Sequence, residues 1–329
     1  PLLAWFMASR GSGSSCISPS ISLLLLSLLP VTQCLVLPHN PGRVVAIGDL
    51  HGDFDATVQI LRISGLIDDR RQWAGGDATL VQLGDVLDRG DSELECWMLL
   101  RNLAAEALAS GGRVVRLCGN HEVMNVLGRA GPFVHARGHA AFGQDRAGAW
   151  APGGNFAKEL ATFPVIAIVG DTCFVHAALP PDATLESIER LNNLTRDWLL
   201  GTGQSLPASL LGGEGSPVWD RCLSSPSGYE PLACDCESLR ATLARLGVAR
   251  VVVGHTPQTQ VNSACGGAVW RCDTGVSRWV VGGACEALEI VDGEVQILRD
   301  STEPGALSSV APVAECDDTG CTDILRDFF

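Results

Sequence analysis

Three glycine-containing stretches of this sequence combine the residue types that bind metal ions. They are Gly48-Asp49-Leu50-His51-Gly52-Asp53, Gly84-Asp85-Val86-Leu87-Asp88-Arg89-Gly90 and Cys118-Gly119-Asn120-His121-Glu122. Further along the chain, His176 and Gly254-His255 add two imidazoles. Mixed carboxylate, amide and imidazole ligands suit zinc, iron or manganese. Asp85 is the candidate for a carboxylate shared by two ions about 3.5–4 Å apart, the spacing of two-metal hydrolytic sites.

Such a centre would be suited to phosphate chemistry. Two divalent ions outweigh the charge of Asp49, Asp85 and a bridging hydroxide, and they lower the pKa of bound water enough to supply hydroxide near neutral pH. His121 can act as a general acid toward a leaving oxygen, and Asp88 can hold its imidazole protonated. Arg89 can bind phosphate oxygens in bidentate fashion. The pattern therefore predicts phosphoester hydrolysis.

Apolar runs at 43–47, 79–83 and 114–117 precede the three stretches, and each predicts a buried strand. Asp49, Asp85 and Asn120 lie roughly 35 residues apart, about the length of one strand-helix-strand unit. Parallel strands place their carboxyl ends along one edge of a sheet, where open α/β sheets bind ligands. We therefore expect the stretches to converge.

Helices are predicted at 55–61 and 92–108, with Glu93, Glu95 and Glu106 facing solvent. Residues 128–155 are rich in glycine and alanine and form an expected insert over the site. Within it, His135 and His139 are predicted to serve at the surface or in substrate contact rather than as metal ligands. The remaining elements are strands and hairpins, predicted at 164–175, 250–253, 268–272 and 288–298.

Composition limits the classes of partner. The chain has 329 residues, 46% of them hydrophobic, and 37 glycines, which fits a well-buried core with many tight turns. A net charge of −14 argues against nucleic acid as a partner, because phosphate-backbone binding needs a basic face. A positive field for phosphate must then be made locally, by metal ions and a few arginines.

Three segments are expected: a leader and linker at 1–40, a catalytic domain at 41–300 and an acidic, flexible tail at 301–329. The apolar run at 21–29 is shorter than the about 20 residues of a membrane span and has the length of a signal-peptide core. We expect the secretory pathway or the extracellular space, with import into a plastid or the mitochondrial intermembrane space as the alternative. No stable membrane span is expected after leader removal.

Thirteen cysteines, crowded into the second half and the tail, favour disulfides in an oxidising compartment. Their connectivity stays open. The sequence Asn193-Leu194-Thr195 is a glycosylation sequon, consistent with secretion.

Together the motifs resemble the calcineurin-like metallophosphoesterase superfamily, and the stretch 84–90 resembles its phosphoprotein phosphatases. Two details are similar to the Shewanella-like protein phosphatases. These are residues 119–126 and residues 253–258, the latter followed by Cys272-Asp273-Thr274-Gly275. The resemblance covers about residues 43–298.

The resemblance implies an α/β (α+β) fold, with a central two-sheet β-sandwich flanked by helices, and a centre of two divalent ions (Mn, Fe or Zn). The implied ligands are Asp49, His51 and Asp85 for the first ion, and Asp85, Asn120, His176 and His255 for the second. The implied acid pair is His121 with Asp88, and the implied phosphate ligands are Arg89 and, within 217–221, Arg221. A metal-bridging hydroxide would attack phosphorus in line, without a phosphoenzyme.

Substrate choice stays open. The implied partner is a phosphorylated protein or peptide, carrying phosphotyrosine or phosphoserine/threonine. The alternatives are hydrolysis of a small phosphoester or a diadenosine polyphosphate and, in another class, a non-catalytic metal-binding protein. Ala177-Ala178 depart from the glycines of serine/threonine phosphatases, and the region 222–240 matches no motif. The oligomeric state is not predicted.

Overall fold

The computed structural model describes residues 36–37, 42–143, 145–203, 205–225 and 235–300. Most of the predicted leader and all of the predicted tail lie outside these ranges. Within them, the structure contains no helix that is both long and apolar enough to cross a membrane.

The described residues form eleven strands and eight α-helices. The strands are β1 (Val36–Leu37), β2 (Arg43–Ile47), β3 (Thr79–Gln82), β4 (Arg113–Arg116), β5 (Ile166–Val169), β6 (Thr172–Val175), β7 (Arg250–Val253), β8 (Asn262–Ala264), β9 (Val269–Arg271), β10 (Glu286–Val291) and β11 (Glu294–Arg299). The helices are α1 (Phe54–Ile63), α2 (Glu93–Ala109), α3 (Asn120–Val126), α4 (Gly138–Ala141), α5 (Arg146–Trp150), α6 (Asn155–Leu160), α7 (Leu185–Leu199) and α8 (Cys236–Leu246).

The first sheet has the order β11-β10-β2-β3-β4. Its strands β2, β3 and β4 are parallel, with Val44 opposite Thr79 and Thr79 opposite Arg113. The helices α1 and α2 provide the crossovers. The carboxyl ends of the three strands therefore lie along one edge, as the sequence spacing predicted.

The second sheet has the order β1-β5-β6-β7-β9-β8. Strands β5 and β6 form the expected antiparallel hairpin, whereas β6 and β7 run parallel. The residues that follow β6 and β7 therefore leave the second sheet at the same edge. These residues include His176 and His255.

The two sheets pack face to face. Val44 and Val81 of the first sheet and Phe174 and Val252 of the second belong to one buried apolar cluster. The outer faces are covered by helices, and Trp97 of α2 is fully buried there. The structure confirms the predicted two-sheet sandwich flanked by helices.

The prediction that Glu93 faces solvent is wrong, because the segment 128–155 covers that face of α2. Helix α4 packs against α2, and α5 packs against α3. Glu93 is 1% exposed and pairs with Arg146 at the start of α5. Helical periodicity alone does not show that a later segment will cover the polar side of a helix.

The cysteines divide into bonded and free. A disulfide joins Cys236, at the start of α8, to Cys265, just after β8. Cys222 is also disulfide-bonded. The free thiols among the described residues include Cys272 and Cys285, so the cysteines crowded into the second half of the chain are not all in disulfides.

Candidate active site

Asp85 lies at the centre of the converging strand ends. Its Oδ2 is 3.4 Å from Nε2 of His176 and 3.8 Å from Nε2 of His51. Its Oδ1 accepts the backbone N–H of His121 at 2.9 Å. The carboxylate is 2% exposed and is surrounded by imidazoles from both sheets. A carboxylate surrounded in this way can be shared between two metal ions.

Backbone hydrogen bonds hold the first loop on the second. The N–H groups of Leu50 and His51 both donate to the carbonyl oxygen of Asp85 at 3.0 Å. Gly52 donates in turn to the carbonyl oxygen of Val86 at 2.9 Å. The loop after β2 is thereby fixed relative to the loop after β3.

Three of the predicted ligand histidines use one ring nitrogen to contact a backbone carbonyl oxygen. The pairs are His51 Nδ1 with Leu87 (3.0 Å), His176 Nδ1 with Leu83 (2.8 Å) and His255 Nε2 with Trp219 (3.1 Å). Because a carbonyl oxygen only accepts, the contacting nitrogen carries a proton in each pair. Such contacts set the tautomer and orientation of metal-binding histidines, leaving the other nitrogen as the ligand atom.

Asn120 and Asp49 complete the predicted ligand set. Asn120 opens α3, and its Oδ1 lies 2.9 Å from Nε2 of His176. Oδ1 of Asp49 accepts the backbone N–H of His255 at 3.2 Å. The structure thus brings all six predicted ligand residues to one buried place.

The electrostatics of this place favour cations. Burial raises the pKa of Asp49, and the charge of Asp273 raises it further. Burial opposes charging His176, but Asp85 and Asp49 outweigh it and raise the pKa of His176 to about 10. Burial lowers the pKa of His51 to about 3, with the charge of His121 adding to the effect. The carboxylates thus draw positive charge onto His176, and a divalent metal ion held there together with the neutral His51 would replace that proton.

Ligand atoms fall into two clusters, each within 4.8 Å and both containing Asp85. One is Asp85 with His176 and His255, as predicted for the second ion. The other is Asp85 with His51 and His121. The predicted first set has Asp49 where this cluster has His121. The roles of Asp49 and His121 therefore remain predictions.

His121 and Asp88 form a buried pair. Nδ1 of His121 lies 2.7 Å from Oδ2 of Asp88, which is fully buried. Asn125 donates from Nδ2 to both oxygens of Asp88, at 3.0 and 3.1 Å. Because Nδ1 is held by Asp88, Nε2 of His121 is the nitrogen left to contact a substrate or an ion.

The two predicted phosphate ligands lie beside this centre. Nε of Arg89 is buried and lacks a hydrogen-bond partner within the described part of the chain, so it can donate to an anion. Arg221 donates from Nη1 to Oγ1 of Thr256 at 2.9 Å, next to His255. Burial lowers the pKa of Arg221, while the nearby charges of Asp49, Asp273 and Asp85 oppose that shift.

Backbone strain is concentrated at these residues. Eight described non-glycine residues have positive φ, and five of them are the site residues His51 (41°), Asp85 (55°), Asp88 (65°), Arg89 (65°) and His255 (70°). Each such conformation costs about 1–3 kcal/mol and persists only where the surrounding structure imposes it. The surrounding contacts therefore hold these five residues in a backbone conformation that lowers the stability of the fold but sets the direction of their side chains.

Glu122 belongs to one of the predicted site stretches but had no predicted role. Its carboxylate accepts backbone N–H groups from Asp85 (2.8 Å), Val86 (3.0 Å) and Gly119 (2.9 Å). Glu122 thus fixes the loop that carries Asp85. Its position three residues after the helix-capping Gly119 is the signal that could have identified it. Arg146 was also missed, and no motif marks it.

Aromatic side chains border the site. Phe133 is 40% exposed, and its ring centroid lies 5.3 Å from that of His121. Arg89 packs over the Phe133 ring at 5.6 Å. Trp279 is 39% exposed, with its ring 5.0 Å from that of His135. His135 and His139 belong to neither ligand cluster of the described residues.

Sequence comparisons relate this chain to phosphoesterases. The calcineurin-like phosphoesterase family profile matches residues 42–259. Shewanella-like protein phosphatase 2 of Arabidopsis thaliana is 33% identical over an alignment covering 89% of this chain and 88% of the relative. Shewanella-like protein phosphatase 1 of Plasmodium berghei is 30% identical, covering 72% of this chain and 67% of the relative.

Solved structures with the same fold include two phosphatases. The cold-active protein-tyrosine phosphatase of a psychrophilic Shewanella species superposes with a TM-score of 0.62 at 25% identity, covering 78% of this chain and 80% of that one. A protein serine/threonine phosphatase from Saccharomyces cerevisiae gives a TM-score of 0.58 at 16% identity, with 81% and 82% covered. The second likeness shows the fold alone.

Proposed function

This chain belongs to the calcineurin-like phosphoesterase family, with Shewanella-like protein phosphatases among its relatives, and we propose that it is a metal-dependent phosphoprotein phosphatase. The family makes it a phosphoester hydrolase. The observation that carries the finer proposal is the placement of Asp85 between the imidazoles of both sheets, with the His121–Asp88 pair alongside.

The proposed ligand roles follow the family pattern. Asp49, His51 and Asp85 would hold one ion, and Asp85, Asn120, His176 and His255 would hold the other. When bound, two divalent ions such as Mn, Fe or Zn neutralise phosphate charge and activate the attacking water. In both His51 and His176, Nδ1 contacts a backbone carbonyl oxygen while Nε2 faces Oδ2 of Asp85, and this geometry supports the assignment.

Protein side chains would carry the remaining steps. Arg89 and Arg221 would bind the phosphoryl oxygens, and the unpartnered Nε of Arg89 supports this role within the described residues. His121 would donate the proton on Nε2 to the leaving oxygen, with Asp88 holding Nδ1. Donation at that atom lets the serine, threonine or tyrosine side chain depart as a neutral alcohol or phenol.

The aromatic border favours phosphotyrosine as the substrate residue. A leaving oxygen that receives the His121 proton must lie next to Phe133, whose ring packs against His121. A phenyl leaving group gains edge or stacking contact there, whereas a serine side chain does not. The Shewanella structure of the same fold is named a protein-tyrosine phosphatase, which agrees with this choice.

The Cys236–Cys265 disulfide supports a further proposal, that the chain works in an oxidising compartment. The secretory pathway and the mitochondrial intermembrane space both fit. Imaging of a tagged full-length chain in its own cells, with compartment markers, tests this. A cytosolic signal would contradict it.

The function itself is tested with purified full-length protein and paired phosphotyrosine and phosphothreonine peptides of one sequence, with and without added manganese. We expect manganese-dependent turnover that is faster for phosphotyrosine. Turnover of neither peptide, at full metal occupancy by elemental analysis, would reject the protein phosphatase proposal.

A further inference from the structure

Arg146, the first residue of α5, is a buried arginine beside the site that no motif indicated. Its side chain is 11% exposed. Nε and Nη2 both donate to Oδ1 of Asn125, at 3.1 and 2.7 Å. Nη2 also donates to Asp88 at 3.2 Å and to Glu93 at 3.1 Å. Nη1 donates to Glu93 and to the carbonyl oxygen of Gly138.

This bonding distinguishes Arg146 from the phosphate-binding candidates. Every nitrogen of its guanidinium already donates within the protein, whereas Nε of Arg89 is unpartnered among the described residues. Arg146 therefore binds other protein side chains and has no donor left for a substrate. One of the groups it binds is the carboxylate of Asp88.

Asp88 is held from several sides. Oδ2 contacts His121, while Oδ1 accepts from Arg146 and from Asn125, itself fixed by Arg146. The backbone N–H of Asp88 donates to Oε2 of Glu93 at 2.9 Å, the same carboxylate that Arg146 binds. Because Asp88 has a φ of 65°, its placement depends on such contacts.

Charge balance requires the arginine as well. Asp88 and Glu93 are two fully buried carboxylates on either side of one guanidinium. Buried charges are tolerated when they are paired and hydrogen-bonded. Without Arg146, Glu93 would lose the guanidinium that pairs with it and Asp88 would keep only its contacts with His121 and Asn125, so Asp88 would turn or recruit water.

We propose that Arg146 is a positioning residue, which fixes Asp88 and, through it, the ring of His121 for proton transfer to the leaving oxygen. The inference rests on the proposed function. Its consequence is selective, because help from a general acid matters most when the leaving oxygen is strongly basic. Loss of Arg146 should therefore slow the hydrolysis of substrates with poor leaving groups more than that of substrates with good ones.

The test compares phenyl phosphate, a poor leaving group, with p-nitrophenyl phosphate, a good one, on manganese-loaded full-length protein. Arg146→Lys keeps the charge but has no planar fork to reach Asp88, Asn125 and Glu93 together. We expect kcat to fall about 10-fold or more for phenyl phosphate, a part of the about 10²–10⁴-fold that general acid catalysis supplies, and less than about 3-fold for p-nitrophenyl phosphate. Metal content should not change.

Arg137→Lys is the matched control, since Arg137 lies in the same segment with its side chain 64% exposed. It should leave both rates unchanged. In a His121→Ala background, Arg146→Lys should not lower kcat for phenyl phosphate any further. If Arg146→Lys instead acted by general misfolding, its loss of kcat would add to that of His121→Ala. Asn125→Ala removes the other clamp on Asp88 and should give the same selective loss, so it decides the test if Arg146→Lys does not fold.

Equal losses for both substrates, additive losses with His121→Ala, or no loss would overturn the positioning role. Turnover of p-nitrophenyl phosphate by the wild-type protein tests the proposed phosphatase activity separately. If the wild type hydrolyses neither compound, the proposed function fails rather than this inference.

Discussion

Oδ2 of Asp85 lies 3.4 Å from Nε2 of His176, although the two residues follow strands of different sheets. The contact joins the carboxyl edge of β3 to that of β6 across the sandwich. A two-ion centre needs ligands on both sides of one shared carboxylate. The packing of the two sheets therefore assembles the site, and each sheet alone holds only part of it.

Replacing Asp85 with asparagine should abolish turnover. The amide keeps the size of the side chain but removes the negative charge that both ligand clusters share. Mutation of a residue that only supports a metal ligand costs about 10–100-fold, so for a ligand itself we expect kcat/KM to fall by more than about 100-fold, with loss of bound metal measured by elemental analysis. Asp91→Asn, at a half-buried position nearby, should retain activity. Unchanged turnover in the Asp85 variant would reject the two-ion assignment.

His121→Ala separates a proton donor from a metal ligand. If His121 is the general acid, the variant should retain its metal content and lose about 10²–10⁴-fold in kcat. Elemental analysis and steady-state rates on a phosphotyrosine peptide measure the two quantities. Loss of one metal equivalent would instead place His121 among the ligands, in the cluster with His51 and Asp85.

Phe133→Leu tests the aromatic border. Leucine preserves an apolar side chain beside His121 but removes the ring that would contact a phenyl leaving group. An aromatic pair contributes about 0.5–1.5 kcal/mol beyond area, so the preference for phosphotyrosine over phosphothreonine should drop several-fold. Leu108→Ala, 63% exposed at the end of α2, serves as the control. An unaltered ratio would remove Phe133 from substrate selection.

Gly119→Ala should damage the site through sterics alone. A Cβ built at Gly119 lies 2.2 Å from Oδ1 of Asp85 and 2.6 Å from its backbone nitrogen. The Asp85 loop must then shift, so we expect weaker metal binding in a calorimetric titration and a lower unfolding temperature. At Gly131 a Cβ meets nothing within 4 Å, so Gly131→Ala should be neutral. Wild-type metal affinity in the Gly119 variant would contradict the close packing.

Glu159 gives a prediction about pH and stability. Burial raises its pKa, but hydrogen bonds from Arg101 and Trp97 outweigh burial and lower it below the ordinary value. A lowered folded-state pKa gives stability that is present above the unfolded-state pKa of about 4.3 and lost as pH falls through the folded one. Glu159→Gln should therefore lower the free energy of unfolding most near neutral pH.

Denaturant unfolding at several pH values measures this difference. The gap between wild type and Glu159→Gln should narrow as the pH falls below about 4. Glu95→Gln, on the exposed side of α2, should show no such trend. A gap that stays constant with pH would mean that the Glu159 carboxylate is not preferentially charged in the folded state.

The sequence alone determined the sheet edge and the residues that gather there. Continuous apolar runs, glycines that permit close approach, and spacings of one strand-helix-strand unit are local properties. They predicted the parallel β2, β3 and β4, and the convergence of Asp49, Asp85 and Asn120. Strand ends further along the chain also supplied His176 and His255 as candidate ligands. The resemblance of the motifs to a known family then assigned both histidines to the second ion and added Arg221.

Only the tertiary structure decided which polar residues become buried partners. Glu93 reads as a solvent-facing helix residue and Arg146 as an ordinary charge in a glycine-rich segment. In the fold they meet around Asp88, because the segment 128–155 returns over α2 and α3. Such contacts depend on how a loop closes across the surface, and neighbouring residues in the chain carry no signal of it. Local sequence motifs therefore identify the residues that carry the chemistry. Long-range packing decides which residues hold them in place.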